Sequence, residues 1–392
     1  MKKKILFVLP GFNFGGTVFS TYNMISLLDS ESYDIFVLAM THQGPVKENY
    51  MKASINVLPE NILLSCLAGK IKDETGLRKA AFYSIKAIRR ILSILGLSLS
   101  LFIYNRVANR IQKLYSFDFV ASCQELESTF FVSCFKNAKK IAWFRSEMNI
   151  LKDEIGVKEF NFVKSNYLKF DKIVCVSKTT CDDFNMYVPG VSDKLIAIHN
   201  IQNLKEIELK ANEQITDFPC GKFVIVTVGR MNPQKRFSFI PKIAKELKDK
   251  GCEFKWLLIG DGNVFGEYDK TLEAIKKYGV EDFVECIGSR LNPYPYIKNA
   301  SLLVNTSYVE ACPRVVAEAK ILKTPVICAD FNSAREFVTN GYDGFVSTID
   351  GIAEPIFEMI ENVESYNKIK SVCESYKFDN DVIYGQLREV FK

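Results

Sequence analysis

Residues 301–319 read SLLVNTSYVEACPRVVAEA. Ser301 to Val304 is an apolar run of the length of a buried parallel strand, and from Val315 onward apolar residues recur with helical spacing. Between them lies a turn holding Glu310 and Pro313. A proline suits the first turn of a helix, where its missing N–H costs nothing. The amides of Arg314, Val315 and Val316 are therefore expected to point out of the helix start as an anion site. Glu318 is expected about two turns beyond Glu310 on roughly the same side. Two carboxylates flanking a ring of amide donors suit a ligand with hydroxyls at both ends and phosphates in the middle, as in a nucleotide sugar. A second reading stays open on spacing alone: carboxylates near a helix start offset its dipole with no ligand present.

At 392 residues the chain is long enough for two domains, and its 48% hydrophobic and 25% charged residues are those of a soluble globular protein. The 11 cysteines are scattered without a CxxC pair, and several fall in strand-like runs. They read as reduced, buried thiols of a cytosolic protein, not as disulfides or a zinc site. Only His42 and His199 are present, which argues against a histidine-built metal centre. The opening MKKKILFVLPG has a basic start, but its apolar run stops at Pro10 and no cleavage pattern follows, so it reads as a first strand. The net charge of +5 is unevenly spread, since Lys70 to Lys113 holds ten basic residues against two acidic ones.

From the start, strand Ile5 to Leu9, the turn PGFNFGG and a helix from Val18 to Leu28 open a doubly wound domain. Gly15 and Gly16 either let backbone approach a phosphate or make a plain turn, and the GxGxxG spacing is not met. Tyr33 to Met40 and Ile55 to Leu58 follow as strands. Leu77 to Ile111 reads as helical throughout, with an apolar centre from Ile91 to Tyr104, shorter than the roughly 20 residues needed to span a bilayer. Lys86, Arg89, Arg90, Arg106 and Arg110 flank it. Two readings stay open: a segment lying on an anionic membrane surface, or two helices packed in the domain with a solvated basic face. Nucleic acid is disfavoured as a partner, because the cluster lacks aromatics interleaved for base stacking.

Strands Phe117 to Ser122 and Lys140 to Phe144 come next, the latter leading into Arg145-Ser146-Glu147. In an open α/β sheet such positions face the ligand crevice; an exposed ion pair is the simpler alternative. Lys172 to Val176 is a strand with Ser177 as the cap of the next helix, and Leu195 to Ile198 ends the first half. The polar stretch Lys205 to Pro219 sets a boundary near residue 205. A second α/β pattern follows, with strands at Phe223 to Val228, Lys255 to Ile259, Val284 to Ile287, Leu302 to Val304 and Pro325 to Cys328. Helices are expected from Phe239 to Lys250 and Leu272 to Tyr278. In its first loop, Arg230 is suited to fork two phosphate oxygens and Lys235 supplies a compact charge. Asp379-Asn380-Asp381 reads as the cap of a last helix, not as a metal-binding DxD.

These motifs, in this order, resemble the retaining GT-B glycosyltransferases of the sucrose-synthase-like family, often numbered family 4. The likeness is carried by VGRMNPQKR (228–236), IGDG (259–262), YVEACPRVVAEAKILKTPVICAD (308–330) and SAREFVTNGYDGFV (333–346). The resemblance implies an α/β GT-B fold, with two tandem Rossmann-like doubly wound parallel-sheet domains facing an interdomain cleft. Residues 1–205 would be the acceptor-side domain, 206–375 the nucleotide-sugar domain, and 376–392 a helix crossing back. It implies transfer of a hexosyl or N-acetylhexosaminyl group from a UDP donor, with retention, to a lipid-linked or polysaccharide acceptor of a capsule or exopolysaccharide.

On the same analogy, Arg230 and Lys235 neutralise the leaving diphosphate and Glu310 holds the donor sugar, making these the candidate catalytic residues. Glu318 takes the ribose hydroxyls, with Gly15, Gly16, Pro313, Arg314, Val315 and Arg290 as further donor-binding residues. Arg145, Glu147 and Asn13 are the candidate contacts to acceptor or sugar. The family works front-face, so no enzymic nucleophile, metal or cofactor is implied. The expected place is the cytoplasm, on the inner face of an anionic membrane met through residues 70–113. Two positions depart from the family pattern: Ala311 stands where a glycine is usual, and Arg145 where W-x-H-x-D/E has histidine. The alternatives are a non-catalytic GT-B subunit stabilising a partner glycosyltransferase, and a nucleotide-sugar epimerase.

Overall fold

Strands that are apolar along their whole length need cover on both faces, and parallel sheets between helices supply it. In the computed structural model, which describes residues 2–392 other than Phe14, Ser54, Lys72, Asp73, Gly96 and Cys220, every strand lies in one of two such sheets. Expectations that fall on those positions, including Phe14 of the glycine turn, Lys72 and Gly96 of the basic segment and the Cys220 thiol, lie outside the described residues. The chain divides into two units, Met1–Ile201 with Asp381–Lys392, and Gln202–Asn380.

The first unit holds β1 (Lys3–Leu9), β2 (Tyr33–Ala39), β3 (Asn56–Val57), β4 (Phe119–Ser122), β5 (Lys139–Phe144), β6 (Lys172–Cys175) and β7 (Leu195–Ala197), in the order β3-β2-β1-β4-β5-β6-β7. All pairings are parallel, with Ile5 beside Ile35 on one side and Phe119 on the other. Ile5 to Leu9 are fully buried, as a central strand requires. The closing helix Asn380–Val390 brings Phe391 into an aromatic cage. Its ring centroid lies 5.8 Å from Phe7, 6.0 Å from Tyr33, 5.6 Å from Phe119 and 6.1 Å from Trp143. Asn380 opens this helix. It bonds the Gln202 backbone twice, donating to its carbonyl at 2.8 Å and accepting from its amide at 3.2 Å, so it ties together the entry and exit of the second unit.

The basic segment is two helices, Gly76–Ile94 and Leu99–Tyr115, not one. Ser98 starts the second, its hydroxyl accepting from the Leu101 amide at 3.2 Å. Serine competes for backbone amides in this way, which is why it favours caps over helix interiors. Ser177 caps the helix Lys178–Tyr187 similarly, accepting from Thr180 at 3.1 Å. No helix among the described residues is long and apolar enough to cross a membrane.

The second unit holds β8 (Phe223–Val228), β9 (Phe254–Ile259), β10 (Val284–Gly288), β11 (Leu302–Asn305), β12 (Val326–Ala329) and β13 (Gly344–Ser347), in the order β10-β9-β8-β11-β12-β13. The order reverses between β1 and β4 in the first sheet and between β8 and β11 in the second. At such a switch point successive connections leave to opposite sides and open a crevice at the strands' carboxyl ends. The loops after β8 and β11 are those that carry Arg230, Lys235 and Glu310.

Candidate active site

In the second unit the loop after β8 is fixed by short-range bonds. Asn232 accepts from the Lys235 amide through its side chain at 3.1 Å, capping the single 3₁₀ turn Pro233–Lys235. Thr306 donates its hydroxyl to the Lys235 carbonyl at 2.8 Å, and the Tyr308 amide bonds the Gln234 carbonyl at 2.7 Å. Gln234 in turn donates to the Val309 carbonyl at 2.8 Å. The β8 and β11 loops are thus laced into one body, and Lys235 meets Glu310 as an ion pair between Nζ and Oε1. Both side chains are mostly buried, 22% and 13% exposed, so this pair is less screened than a surface one.

Glu310 is held from two further directions. Ser307 donates to its Oε1 at 2.9 Å, and Ser333 donates to its main-chain carbonyl at 2.6 Å. Glu310 precedes the helix Arg314–Ile321, for which Pro313 is the N-cap residue. Helical phasing therefore does not relate Glu310 to Glu318, and the two-turn relation expected between them does not hold. The Val316 amide is also not free, since it bonds the Pro313 carbonyl at 3.2 Å. A tight first turn of this kind uses an amide that the sequence left pointing outward.

Glu318 is buried. It accepts from the Arg314 guanidinium at 2.9 Å and from the Tyr294 hydroxyl at 3.3 Å. Burial and the Glu318 carboxylate both push the Tyr294 hydroxyl above its ordinary range, so it stays a donor. Arg230, by contrast, is exposed and makes no hydrogen bond or ion pair among the described residues. Gly260 lets the β9 loop come up against it: a Cβ there would stand 1.8 Å from the Gly229 carbonyl oxygen, and the Met231 amide bonds the Asp261 carbonyl at 2.8 Å. Arg236 adopts a left-handed backbone, φ 54°, and its guanidinium lies 4.6 Å from the Tyr308 ring centroid. Arg290 is engaged away from these groups. It bonds Asp217 at 2.7 Å, the Tyr296 hydroxyl at 2.9 Å and the Ile287 carbonyl.

In the first unit, Gly15 precedes and Gly16 opens the helix Gly16–Leu27, and a Cβ at either would meet nothing within 4 Å. Asn13 is exposed beside them. Arg145, at the end of β5, is not part of an exposed ion pair: it is half-buried, and Glu147 is buried. Its guanidinium donates to the Cys123 carbonyl at 3.0 Å and to Asn200 at 2.6 Å, and its amide donates to the Glu125 carboxylate. Burial pushes the Glu125 carboxyl above the usual range, against the pull of that amide. Glu125 was not singled out from the sequence. The next residue, Leu126, has φ 65°, an uncommon backbone for a bulky side chain and a mark of a constrained turn.

Residues 210–373, nearly the whole second unit, match the family described as Glycosyl transferases group 1. Over these residues the chain is similar to the group 1 glycosyl transferases. It is similar to the uncharacterized glycosyltransferase MJ1059 of Methanocaldococcus jannaschii, 24% identical over 200 residues, with 50% of this chain and 48% of that protein covered. It is also similar to the N-acetylgalactosamine-N,N'-diacetylbacillosaminyl-diphospho-undecaprenol 4-alpha-N-acetylgalactosaminyltransferase of Campylobacter jejuni, 27% identical over 185 residues, covering 47% of this chain and 48% of that one. The chain thus spans about half the length of these two curated relatives. Its fold is that of Anabaena Alr3699/HepE, solved in complex with UDP: TM-score 0.74, 19% identity, 100% of this chain and 99% of the other. That fold is GT-B.

Proposed function

We propose that this chain is a group 1 glycosyl transferase that moves a hexosyl or N-acetylhexosaminyl group, with retention, from a UDP-linked donor to a lipid-linked or polysaccharide acceptor of a surface glycan. The observation that carries the reading is the joining of the β8 and β11 loops, which brings Lys235, Glu310 and Arg230 to one strand-end rim of the second unit. The Campylobacter jejuni relative, by its name, acts on a diphospho-undecaprenol-linked sugar, and the Anabaena structure contains UDP. Both agree with the donor and acceptor classes proposed.

In the proposed step the bond between the sugar's anomeric carbon and the diphosphate oxygen breaks, and its electron pair leaves with the diphosphate. An acceptor hydroxyl bonds the same carbon from the same face, passing its proton to the departing diphosphate oxygen. The charge that grows on that oxygen is the main thing to be stabilised, and preorganised cations and amides do this at low reorganisation cost. Arg230, Lys235 and the amides of Arg314 and Val315 take that role. Glu310 orients the sugar and Glu318 the ribose, and the charge supplied by the protein's own cations makes a metal unnecessary.

The proposed location is the cytoplasmic face of an anionic membrane. On the helix Gly76–Ile94, Ile88, Ile91 and Leu95 recur at helical spacing and are exposed, Ile91 to 59% and Leu95, just past the helix end, to 67%. Arg89 and Arg90 stand beside them, the pattern of a helix that lies in an interface.

The test is thermal unfolding of the full chain with UDP, GDP and ADP, then transfer from UDP-sugars to an undecaprenyl-diphosphate-linked acceptor. A rise in melting temperature with UDP, growing with the logarithm of its concentration, is expected. Absence of any shift, together with absence of transfer, overturns the reading.

A further inference from the structure

At the amino ends of the neighbouring strands β4, β5 and β6 the first unit has an open groove of about 810 Å³. This is the end of the sheet away from Glu125 and Arg145, which follow the carboxyl ends of β4 and β5. Small-molecule sites run from about 300 to 1,000 Å³, so the space is that of a ligand and not of one water.

The groove is held in shape by its own hydrogen bonds. Gln112, near the end of the helix Leu99–Tyr115, donates through Nε2 to the Phe117 carbonyl at 2.9 Å and to the Asn137 carbonyl at 3.1 Å. Its Oε1 accepts from the Phe117 amide at 3.3 Å, so one side chain stitches the helix end to the loop before β5. Ser116 and Asn137, both in the lining, keep left-handed backbones at φ 53° and 61°. That conformation is uncommon outside glycine and has to be held by its surroundings.

The charged lining consists of Lys113, Lys136 and Lys139 against Asp118 and Asp171. Each aspartate gives one oxygen to the backbone of an adjacent strand: Asp118 accepts from the Lys4 amide at 2.8 Å and Asp171 from the Lys140 amide at 2.7 Å. The three lysines are exposed and form no ion pair among the described residues; the Lys139 ammonium lies 5.6 Å from the Phe119 ring centroid. Arg106 stands on the stripe of the helix that carries Lys113, about two turns earlier, with Arg110 between them. Both arginines are exposed and also form no ion pair among the described residues, so the cationic surface continues beyond the groove. Asn109, Asn137 and the Ser116 hydroxyl add uncharged hydrogen-bonding groups. Phe117 is 1% exposed, so it offers no ring for base stacking and no apolar anchor for a protein partner.

We infer that this groove binds an acidic glycan, a hydroxyl-rich chain whose carboxylate or phosphate groups meet the three lysines. Its hydroxyls, which donate and accept, pair with the amides, with Ser116 and with the second oxygens of the two aspartates. Lysine suits such a ligand, because a compact charge on a flexible stem follows acid groups at varied spacing. That a glycan is at hand rests on the surface-glycan reading above, but the groove uses none of the residues assigned to transfer. It adds a place where the enzyme holds a charged polymer away from the reacting end.

The experiment is fluorescence anisotropy of fluorescein-labelled tetragalacturonate with the full chain, with unlabelled maltotetraose and N-acetylated tetraglutamate as competitors. Binding that weakens as sodium chloride is added is expected. Maltotetraose, which lacks the acid, and tetraglutamate, which lacks the hydroxyls, should each compete at least tenfold less well than unlabelled tetragalacturonate. Lys113→Glu with Lys136→Glu should weaken binding at least tenfold. Asn137→Gly, which keeps the left-handed backbone and removes the amide, should weaken it several-fold. The UDP-induced thermal shift should be unchanged in both variants. Maltotetraose competing equally, or binding that survives the double charge reversal, overturns the inference; tetraglutamate competing equally makes the groove a site for acidic protein segments and overturns it as well. Loss of the UDP shift in the wild type instead overturns the transfer reading, and the anisotropy is measured without UDP.

Discussion

Lys235 and Glu310 form an ion pair across 75 positions of sequence, and their meeting is what joins the first and fourth strand-end loops of the second unit into one site. If the pair orients groups for transfer, Glu310→Gln and Lys235→Met should each lower the transfer rate on the order of 10²- to 10³-fold. In urea unfolding of the two single variants and the double variant, the double should be less destabilised than the sum of the singles, by about 0.5–3 kcal/mol. Strict additivity would mean that the two side chains do not act as a pair.

Arg230 supports no part of the fold by its side chain. Arg230→Ala should therefore leave stability within about 0.5 kcal/mol of wild type. Removing a charge-assisted phosphate contact, by contrast, costs about 1.5–3 kcal/mol, or roughly ten- to a hundredfold in UDP affinity by calorimetry. Arg230→Lys should recover only part of this, because lysine lacks the planar fork.

Gly260 has no side chain to contribute, yet its substitution should be felt at the nucleotide. A Cβ at 1.8 Å from the Gly229 carbonyl oxygen forces one of the two backbones to move, and Gly229 directly precedes Arg230. Gly260→Ala is expected to destabilise by about 1–3 kcal/mol, as overpacking does. It should also weaken UDP binding, read as a smaller thermal shift at equal UDP.

Membrane attachment through the helix Gly76–Ile94 has a charge signature. Binding to phosphatidylglycerol vesicles should fall with added salt, and phosphatidylcholine vesicles should bind far less. Each basic residue near an anionic surface contributes about 1 kcal/mol, so Arg89→Ala with Arg90→Ala should weaken sedimentation with vesicles roughly thirtyfold. Equal binding to both lipids would remove the electrostatic part of the proposal.

Acid should act on Glu60 before it acts on the Arg78 charge. The folded-state carboxyl is held down from 4.5 to about 2 by Arg78, so its stabilisation is present above pH 4.5 and is lost as pH falls through about 2. The stability difference between wild type and Glu60→Gln should be greatest near pH 6, at most about 3 kcal/mol by linkage. It should shrink steadily toward pH 2.

The sheets were legible because buried parallel strands are written as continuous apolar runs: Ile5 to Leu9, Phe223 to Val228 and Leu302 to Val304 each became a central strand. The short edge strand Gly344–Ser347 was not seen, since four residues beside glycine and aspartate carry little pattern. In the site, Glu310, Arg230 and Lys235 stood out as charges beside strand ends. Ser307, Ser333 and Thr306 did not, because a hydroxyl that holds a loop looks like any other loop serine or threonine until its partner is placed. Asn232 was findable, three residues ahead of Lys235 in cap spacing. Glu125 was hidden by its setting, as a carboxylate in a polar loop gives no sign that β5 will bring the Arg145 amide to it.

The aromatic cage around Phe391 has a bearing on how the chain is made. Its walls, Phe7, Tyr33, Phe119 and Trp143, leave the ribosome early, while its plug comes only after the whole of the second unit. During synthesis the early half must wait with an open apolar hole, and the later half is free to fold first. A chain stopped at Asn380 would keep the second unit intact and release the first in a sticky, half-closed form.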